Sequence, residues 1–525
     1  MTIYLAKDKN IDDKDIIKEM DNLTLVTVSL SGAQSAVLYI RKAQPHPPAW
    51  ADIFADHIDK KLIGNSSSPG AVLVIEIPKA KFLMTFGLGR HLIKDIHIQR
   101  DYGLKVALNS IGEDKLRCID KASHERTPLN SRTQASKGVD IFELALNTEV
   151  DLLTAITGSS KVEMFGAQIT GRDALTLSVK DGLEGFCDIL KETHTFYEKE
   201  DYKKSFGWVD NFRRIKDGAL NEKLDSNLVN LLRNDSAPSN CWLSEPEIID
   251  WEITALYVLQ KKRKRTVYYP ELRLNKLLEI IKAKNNAFTI DDFRKNPISL
   301  VDDNYNLLKS WSAYNCLYAE ISHNNCLYIL QNGSWFNVEN DFVKKVNSAI
   351  SQIDVYDHIL PIYDHGNEGA YNEAVSQQDG YIKMDNKNIA HGGGRSSIEY
   401  CDLVRNGKDL IHVKRGTASS KLSHLFAQGE VSAELFSGDS EFRKKLNEKL
   451  PDELKVNVID RPNTPDYKIV YAIVDEKPGE LSLPFFSKVR LKNAHYHVNN
   501  LLGYQMAICK IDVSDDYRVR SKGKS

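Results

Sequence analysis

The sequence predicts a multidomain α/β protein, because strand-like and helix-like segments alternate along a chain too long for one core. Short apolar runs rich in β-branched residues, AVLYI (36–40) and AVLVIEI (71–77), are typical of strands. Apolar residues at helical spacing in PELRLNKLLEIIKAK (270–284) and SSKLSHLFAQGEVSAELF (419–436) are typical of helices. At 525 residues the chain is longer than a domain with a single hydrophobic core usually is.

Changes in composition divide the chain into regions. The polar stretch SHERTPLNSRTQASKG (123–138) is interpreted as a linker or exposed loop. It separates an N-terminal α/β domain, 1–130, from a middle α/β domain, 131–345. A C-terminal α/β domain follows at 346–515, with a polar tail at 516–525.

Charge and cysteine content limit the classes of protein. The net charge of −2 excludes a strongly basic protein, so any nucleic-acid surface must be local. Seven cysteines without CxxC spacing argue against a disulfide framework or a zinc ribbon. The N-terminus is too charged for a signal peptide, and no apolar run approaches 18 residues. These features predict a cytoplasmic protein with no membrane partner.

Two segments before residue 345 carry open alternatives. The glycines of FGLGRH (86–91) suggest a nucleotide loop, but a third glycine is lacking, so a strand ending in a turn is favoured. KKRKR (261–265) fits either a solvated helix end or a contact with a DNA backbone.

The segment DIFELALNTEVDLLTAI (140–156) has helical spacing and is predicted as a helix.

The segment IEYCDLVRNGKDLIHVKRG (398–416) predicts a hairpin with polar residues on otherwise apolar strands. Asn406 and Gly407 are the strongest short hairpin signal, and a two-residue turn pairs residues whose numbers sum to 813. Glu399 then lies opposite Lys414 and shares its face, while Asp402 faces the other side. A bulge would reverse this arrangement, so both acids remain candidates.

The order of elements around this hairpin resembles a known nuclease core. A helix at 368–378 and a strand at 381–387 precede the two hairpin strands, and a helix and the strand YKIVYAIV (467–474) follow them. This order, with the triplet His412-Val413-Lys414, resembles the restriction-endonuclease-like, PD-(D/E)xK nuclease fold. The resemblance implies a mixed sheet flanked by helices and a C-terminal nuclease-like domain at 346–515.

The resemblance also implies roles for individual residues in phosphodiester hydrolysis. Carboxylates are hard ligands that hold Mg²⁺, or Mn²⁺, against a phosphate, and the lysine stabilises developing negative charge. The implied catalytic residues are Glu399, Asp402, His412, Lys414 and Gln428. The implied metal ligands are Glu373, Glu399 and Asp402, and the implied substrate-binding residues are Arg415, Lys421, Ser423 and His424.

His412 departs from the pattern, because the family usually has an acid at this position. An imidazole is a softer ligand, better matched to Mn²⁺ or other transition ions. The sequence leaves three roles open for His412: contact with the metal or the phosphate, acceptance of a proton, or a structural role in the strand. Contact with the metal or phosphate is the prediction.

The whole chain resembles a sporadically distributed bacterial family of unknown function. The resemblance rests on PPAWADIF, FGLGRHLI, DYGLKVALN, the IEYCDL and HVKRG pair, LSHLFAQG and LPFFSKVRL. The family's association with mobile elements and phage defence implies a metal-dependent DNA nuclease acting in restriction or defence. DNA is the expected partner, and a partner protein of a defence system or self-association into a homo-oligomer is compatible. The alternative is a catalytically degenerate nuclease fold that binds nucleic acid or protein without cutting.

Overall fold

The structure, a computed structural model, has mixed α/β architecture with several antiparallel sheets. It describes residues 1–20, 23–54, 56–123, 129–178, 182–234, 238–249, 256–259, 266–302, 305–385, 387, 389–390, 397–417 and 419–522. The basic run 261–265 and most of the glycine-rich segment 391–397 lie outside these residues. One compact unit comprises Met1–Ala122 and Asn130–Val209, and a second comprises Asp210–Ser525 together with Ser123–Leu129. The domain boundaries placed near residues 130, 345 and 515 stay predictions.

The first unit is built on a ten-stranded sheet. In chain order its strands are β1 (Thr2–Leu5), β2 (Leu23–Thr27), β3 (Ser35–Arg41), β4 (Gly70–Ile77), β5 (Ala80–Gly87), β6 (Ile111–Ser123), β7 (Leu129–Val139), β8 (Asp151–Ser160), β9 (Gln168–Gly171) and β10 (Leu175–Leu177). The sheet order is β2-β3-β4-β5-β1-β10-β9-β8-β6-β7, and neighbours from β2 to β8 pair antiparallel. Its helices are α1 (Asp13–Ile16), α2 (Tyr102–Ser110), α3 (Phe186–Glu198) and α4 (Lys203–Phe206).

Two predictions for the first unit are wrong. Residues 140–156 do not form a helix. After a 3-10 turn at Phe142–Leu144 the chain enters β8, where Leu153 and Ala155 are buried at alternate positions and pairing with β9 begins at Ile156. Pairing with a neighbouring strand overrides the local helical spacing. In the segment 123–138, predicted as a linker or exposed loop, residues 124–128 lie outside the described residues and 129–138 belong to β7. This strand is at the sheet edge, where solvent on one side tolerates polar side chains.

The FGLGRH segment is the end of a strand followed by a turn, which is the favoured one of its two interpretations. Strand β5 ends at Gly87, and a 3-10 turn covers Leu88–Leu92. A Cβ atom at Gly89 would overlap the backbone of Ala71 on β4. Close packing of backbones therefore explains this glycine without a phosphate.

The second unit begins with two antiparallel sheets. Its strands here are β11 (Phe212–Arg214), β12 (Cys241–Leu243), β13 (Leu256–Val258), β14 (Pro297–Val301), β15 (Leu307–Ser312), β16 (Leu317–His323), β17 (Cys326–Gln331) and β18 (Ser334–Val338). They form a sheet of order β11-β18-β17-β16-β12 and a sheet of order β13-β14-β15. The helices are α5 (Gly218–Asn234), α6 (Leu274–Lys284), α7 (Ile290–Lys295), α8 (Ala313–Cys316) and α9 (Asn340–Ile350).

The C-terminal part of this unit contains a six-stranded mixed sheet. Its strands are β19 (Asp354–Val355), β20 (Tyr381–Lys383), β21 (Ile389–Ala390), β22 (Ser397–Ile398), β23 (Leu403–Arg405), β24 (Asp409–Arg415), β25 (Lys468–Asp475) and β26 (Gln505–Asp512). The sheet order is β19-β26-β25-β24-β23-β20, with β24, β25 and β26 parallel and β23 antiparallel to both its neighbours. Strands β21 and β22 pair separately.

Helices cover both faces of this sheet. They are α10 (Glu368–Val375), α11 (Ser419–Gly438), α12 (Ser440–Asn447), α13 (Phe485–His495) and α14 (Asp515–Lys522). Apolar residues of α11 and α13 pack on one face of the sheet, and those of α10 pack on the other. None of the described helices combines the length and the apolar run needed to span a bilayer.

The hairpin between β23 and β24 differs by one residue from its prediction. Arg405 pairs with Asp409, so the turn has three residues, Asn406 to Lys408, and the predicted two-residue turn is wrong. Neighbouring chain segments hold this turn, because Asn406 N donates to Gly380 O and Lys408 O accepts from Lys468 N. A shift of one residue turns every side chain to the opposite face. It places Asp402, whose N donates to Ile411 O, directly beside β24.

Candidate functional site

A polar cavity of about 500 Å³ lies where the last three residues of β24 meet α10 and α11. It is lined by Gly366, Asn367, Glu368, Gly369, Asp385, Glu399, Asp402, Val413, Lys414, Arg415, Lys421 and Gln428. The sequence predicted six of these residues as parts of the site: Glu399, Asp402, Lys414, Arg415, Lys421 and Gln428. The fold therefore gathers into one cavity residues that come from five separate segments of the chain.

Three carboxylates form an acidic cluster in this cavity. One oxygen from each of Asp385, Glu399 and Asp402 lies within 4.8 Å of the others. Asp385 follows β20 and Asp402 precedes β23, and the two are brought together because Met384 N and Asp385 N both donate to Asp402 O. Carboxylates this close repel one another when ionised, so the cluster is suited to bind a cation.

Asp402 is hydrogen-bonded to both β24 and α10. Its Oδ2 accepts from Val413 N at 2.7 Å, and its Oδ1 accepts from Asn372 Nδ2 at 3.3 Å. Burial raises the pKa of its carboxyl from 3.8 to about 8, and the charges of Glu399, Asp385 and Glu368 act in the same direction. The Val413 N–H opposes this shift. Binding a proton or a cation therefore stabilises Asp402 more than it would stabilise an exposed acid.

Lys414 projects into the same cavity and is held by an acid from α10. Its Nζ lies 2.9 Å from Glu368 Oε2, and the other oxygen of Glu368 accepts from Arg415 N at 2.8 Å. Glu368 stands in the first turn of α10, which Asn367 caps by accepting from Ala370 N. The ammonium group is thus positioned by a carboxylate that is itself fixed to the backbone of β24.

Two further contacts order the acids. Gln428 Nε2, from α11, donates to Glu399 Oε2 at 3.1 Å. Asn372, fully buried on α10, donates to both Asp385 and Asp402. On the same helix Gly369 leaves room for the acid, because a Cβ atom there would lie 3.2 Å from Asp385 Oδ2. Side chains of α11 and α10, which pack on opposite faces of the sheet, therefore fix the positions of the acids by hydrogen bonds.

Other predicted residues lie elsewhere. Glu373 does not line the cavity; its carboxylate pairs with Lys383 at 2.9 Å on the surface, and Glu368 occupies the helix position near the acids. Ser423 is buried in α11 and His424 is exposed on it, and neither lines the cavity. The structure thus brings together the central acids, the lysine and the glutamine, but not these three residues.

His412 is buried in the core, away from the cavity lining. It is 1% exposed, and its ring lies 6.0 Å from that of Tyr471, centroid to centroid, in the layer between the sheet and α11. Burial lowers the pKa of the imidazole to about 4, so the ring is neutral at pH 7. Among the described residues its Nε2 has no hydrogen-bond partner. These surroundings favour the structural role that the sequence left open.

We expect His412→Glu to destabilise the protein. Among the described residues no cation shifts the pKa of His412, and a buried carboxylate without a cation typically lowers the free energy of unfolding by about 3–5 kcal/mol. Urea unfolding would measure the loss, with His424→Glu, an exposed change on α11, as a control that stays within about 0.5 kcal/mol of the wild type. Wild-type stability in the His412→Glu variant would instead place the ring near solvent or a cation.

Sequence reasoning missed Glu368, Asn372 and Asp385. Asp385 carried a usable signal, since an acid directly follows the apolar residues of YIKM (381–384) at a strand end. Glu368 could be chosen over Glu373 only by knowing which side of α10 faces β24. Asn372 becomes a candidate only once its two acceptors are known to be adjacent.

The fold and the cavity define a mixed α/β protein whose C-terminal sheet carries an acidic cluster beside a lysine. The chain belongs to the family of unknown function DUF6119, whose family model matches residues 1–512. This confirms the predicted membership of a family of unknown function that spans nearly the whole chain. No curated protein and no solved structure matches the chain.

Proposed function

We propose that the C-terminal sheet is a restriction-endonuclease-like core and that the protein is a metal-dependent nuclease cutting DNA. Apart from the separate strands β21 and β22 and the helix α12, the chain order is α10, β20, β23, β24, α11, β25. This order supports the proposal, since it is the order of helix, three strands, helix and strand on which the resemblance rests. The observation that carries the proposal is the acidic cluster Asp385, Glu399 and Asp402 in one cavity with Lys414. Carboxylates can hold a divalent cation that activates water, and a lysine can stabilise the charge that develops on the phosphate, so the two features together suit metal-dependent phosphodiester hydrolysis.

The donor set fits a hard divalent cation. Three carboxylates can supply oxygen ligands, as Mg²⁺ prefers and Mn²⁺ accepts. His412 lies outside the cavity lining, so a nitrogen ligand is not part of the set. When bound, the cation would polarise the phosphoryl oxygen and lower the pKa of a bound water.

The chain's own residues would position the phosphate and stabilise charge. Lys414 would stabilise the negative charge that develops on the phosphoryl oxygens, with Glu368 orienting its ammonium group. Gln428 would keep the carboxylate of Glu399 directed into the cavity. Arg415 and Lys421, at the cavity lining, would contact the neighbouring phosphates of the strand.

The experiment is a DNA cleavage assay with the purified full-length chain. We expect plasmid and linear DNA to be cut in Mg²⁺ or Mn²⁺ and to stay intact in EDTA. Glu399→Gln should reduce the rate by at least roughly 100-fold, since it removes a charged ligand of the cluster. Glu373→Gln, the matched change of an acid outside the cavity, should cut like the wild type. Equal loss in both variants would point to a general effect on folding.

A catalytically degenerate nuclease fold is the second candidate. It is favoured because the buried His412 stands where PD-(D/E)xK nucleases usually have an acid. Such a protein would bind nucleic acid or a partner protein without cutting. It would bind DNA in the assay above yet leave it intact with either metal ion. A role in restriction or anti-phage defence rests on the resemblance to a mobile-element-associated family, and protection of cells against phage, lost in Glu399→Gln, would support it.

A further inference from the structure

Arg415, the last residue of β24, lies between the cavity and the C-terminal helix α14. Its guanidinium carbon stands over the ring of Tyr517, a residue of α14, at 5.1 Å from the ring centroid. Its Nη2 lies 3.6 Å from Glu476 Oε1, and both of these side chains are partly exposed. A partly exposed ion pair at this distance is weak, so Arg415 remains able to pair with a phosphate.

The ring of Tyr517 has a fixed position. It is buried and meets the ring of Tyr363 edge to face, with 5.4 Å between centroids and 86° between planes. Tyr363 is fully buried, and its N donates to Asp512 O while its O accepts from Ser514 N. Tyr517 N in turn donates to Ser514 Oγ at 3.0 Å. The first turn of α14 is therefore tied to the end of β26, and the ring is held under Arg415.

A contact with the ring leaves the polar atoms of the guanidinium available. An arginine has five N–H donors in one plane, and a ring that lies under the guanidinium attracts it by a cation–π interaction without using any of them. The backbone of Arg415 is fixed as well, because its N donates to Glu368 Oε1 at 2.8 Å. Arg415 is thus held at its backbone and at its side chain in an arrangement suited to bind an anion.

We propose that Tyr517 is a positioning residue that holds Arg415 for contact with a nucleic-acid phosphate at the cavity. The role of Tyr517 rests on the proposed function, since that function supplies the phosphate. A long side chain that is already ordered loses less conformational entropy when its ligand binds. Tyr517 therefore strengthens DNA binding through Arg415 and leaves the chemical step unchanged.

Fluorescence anisotropy with the full-length chain tests the proposal on a labelled duplex of about 20 base pairs, in EDTA and about 50–200 mM NaCl. Tyr517→Leu keeps an apolar side chain in the core but removes the ring, and it should weaken binding by roughly three- to tenfold. Tyr517→Phe keeps the ring and should stay within about twofold of the wild type. Arg415→Ala should lower the slope of log affinity against log salt by about one, and adding Tyr517→Leu to it should cause no further loss.

Tyr381→Leu is the matched control for these measurements. The ring of Tyr381 lies under Arg405 at 5.6 Å from the guanidinium carbon, and neither residue lines the cavity. This variant should bind DNA like the wild type. In single-turnover cleavage with Mg²⁺, Tyr517→Leu should raise the half-saturating protein concentration and keep the maximal rate.

Hydrogen exchange measures the same contact without DNA. Arg415→Ala should speed exchange of the α14 amides by at least about threefold, whereas Arg405→Ala should not. Unchanged exchange in Arg415→Ala, wild-type affinity in Tyr517→Leu, or an equal loss from Tyr517→Leu with and without Arg415 would overturn the role of Tyr517. If the wild type binds and cuts DNA, these results leave the proposed function standing. A wild type that neither binds nor cuts DNA would overturn the proposed function, and the role of Tyr517 with it.

Discussion

Replacing Lys414 with alanine should lower the proposed metal-dependent DNA cleavage by roughly 100- to 1000-fold, the usual cost of removing one group that stabilises transition-state charge. The expectation follows from its place in the cavity with the acidic cluster and from its contact with Glu368. Substrate binding should change much less than the rate. Single-turnover cleavage at saturating protein would separate the rate of the chemical step from binding.

The fold should survive this substitution. The Lys414–Glu368 pair is partly exposed, and such pairs contribute about 1 kcal/mol or less. Glu368 also keeps its hydrogen bond from Arg415 N. Lys383→Ala is the matched control, because it breaks a similar ion pair with Glu373 outside the cavity. A Lys414→Ala variant that cuts as fast as Lys383→Ala would show that Lys414 is only a salt-bridge partner.

The second prediction with a large effect is that Asp402 makes the stability of the metal-free protein depend on pH. Burial and the neighbouring acids raise the pKa of Asp402 to about 8 in the folded protein, above its ordinary value of 3.8. Folded protein therefore retains a proton that unfolded protein releases. The stability that this proton contributes is complete below about pH 4 and is lost as the pH rises through about 8. We expect the metal-free protein to become less stable across this window.

Asp402→Asn should remove most of that dependence. The amide can still accept the Val413 N–H and carries no charge, so the metal-free variant should be more stable than the wild type at pH 8, by on the order of a few kcal/mol. Thermal and urea unfolding at pH 5, 6.5 and 8 in EDTA would measure it. Asp379→Asn, an exposed acid in the same region, should follow the wild-type profile. Identical profiles for Asp402→Asn and the wild type would contradict the raised pKa.

With a divalent cation bound, the wild type should become more stable than Asp402→Asn at pH 8. Binding needs the ionised form of Asp402, so the apparent affinity for Mg²⁺ or Mn²⁺ should rise by up to tenfold per pH unit between about 6 and 8. Millimolar Mn²⁺ should raise the unfolding temperature of the wild type at pH 8 but not that of Asp402→Asn. Titration calorimetry in buffers of different ionisation enthalpy would detect the released proton. Equal binding by both proteins would exclude Asp402 as a ligand.

Much of the C-terminal region was predictable because its signals are local. The spacing of Leu422, Leu425 and Phe426 predicts the buried side of α11, and all three are fully buried. Asn406 and Gly407 predict a turn between two strands, and the structure has one there. Periodicity and turn residues act over a few residues, so one sequence is enough to recognise them.

What only the tertiary structure decided is which side chains meet. Hydrogen bonds from Asn406 N to Gly380 O and from Lys468 N to Lys408 O hold a three-residue turn. This turn shifts the β23–β24 pairing by one residue, and the shift brings Asp402 to the cluster. The packing of α10 on β24 selects Glu368 over Glu373. Local sequence determined that strands, a hairpin and a polar site exist in residues 368–475. Contacts between residues distant in the chain determined the register, and the register decides which carboxylates face Lys414 and which histidine is buried.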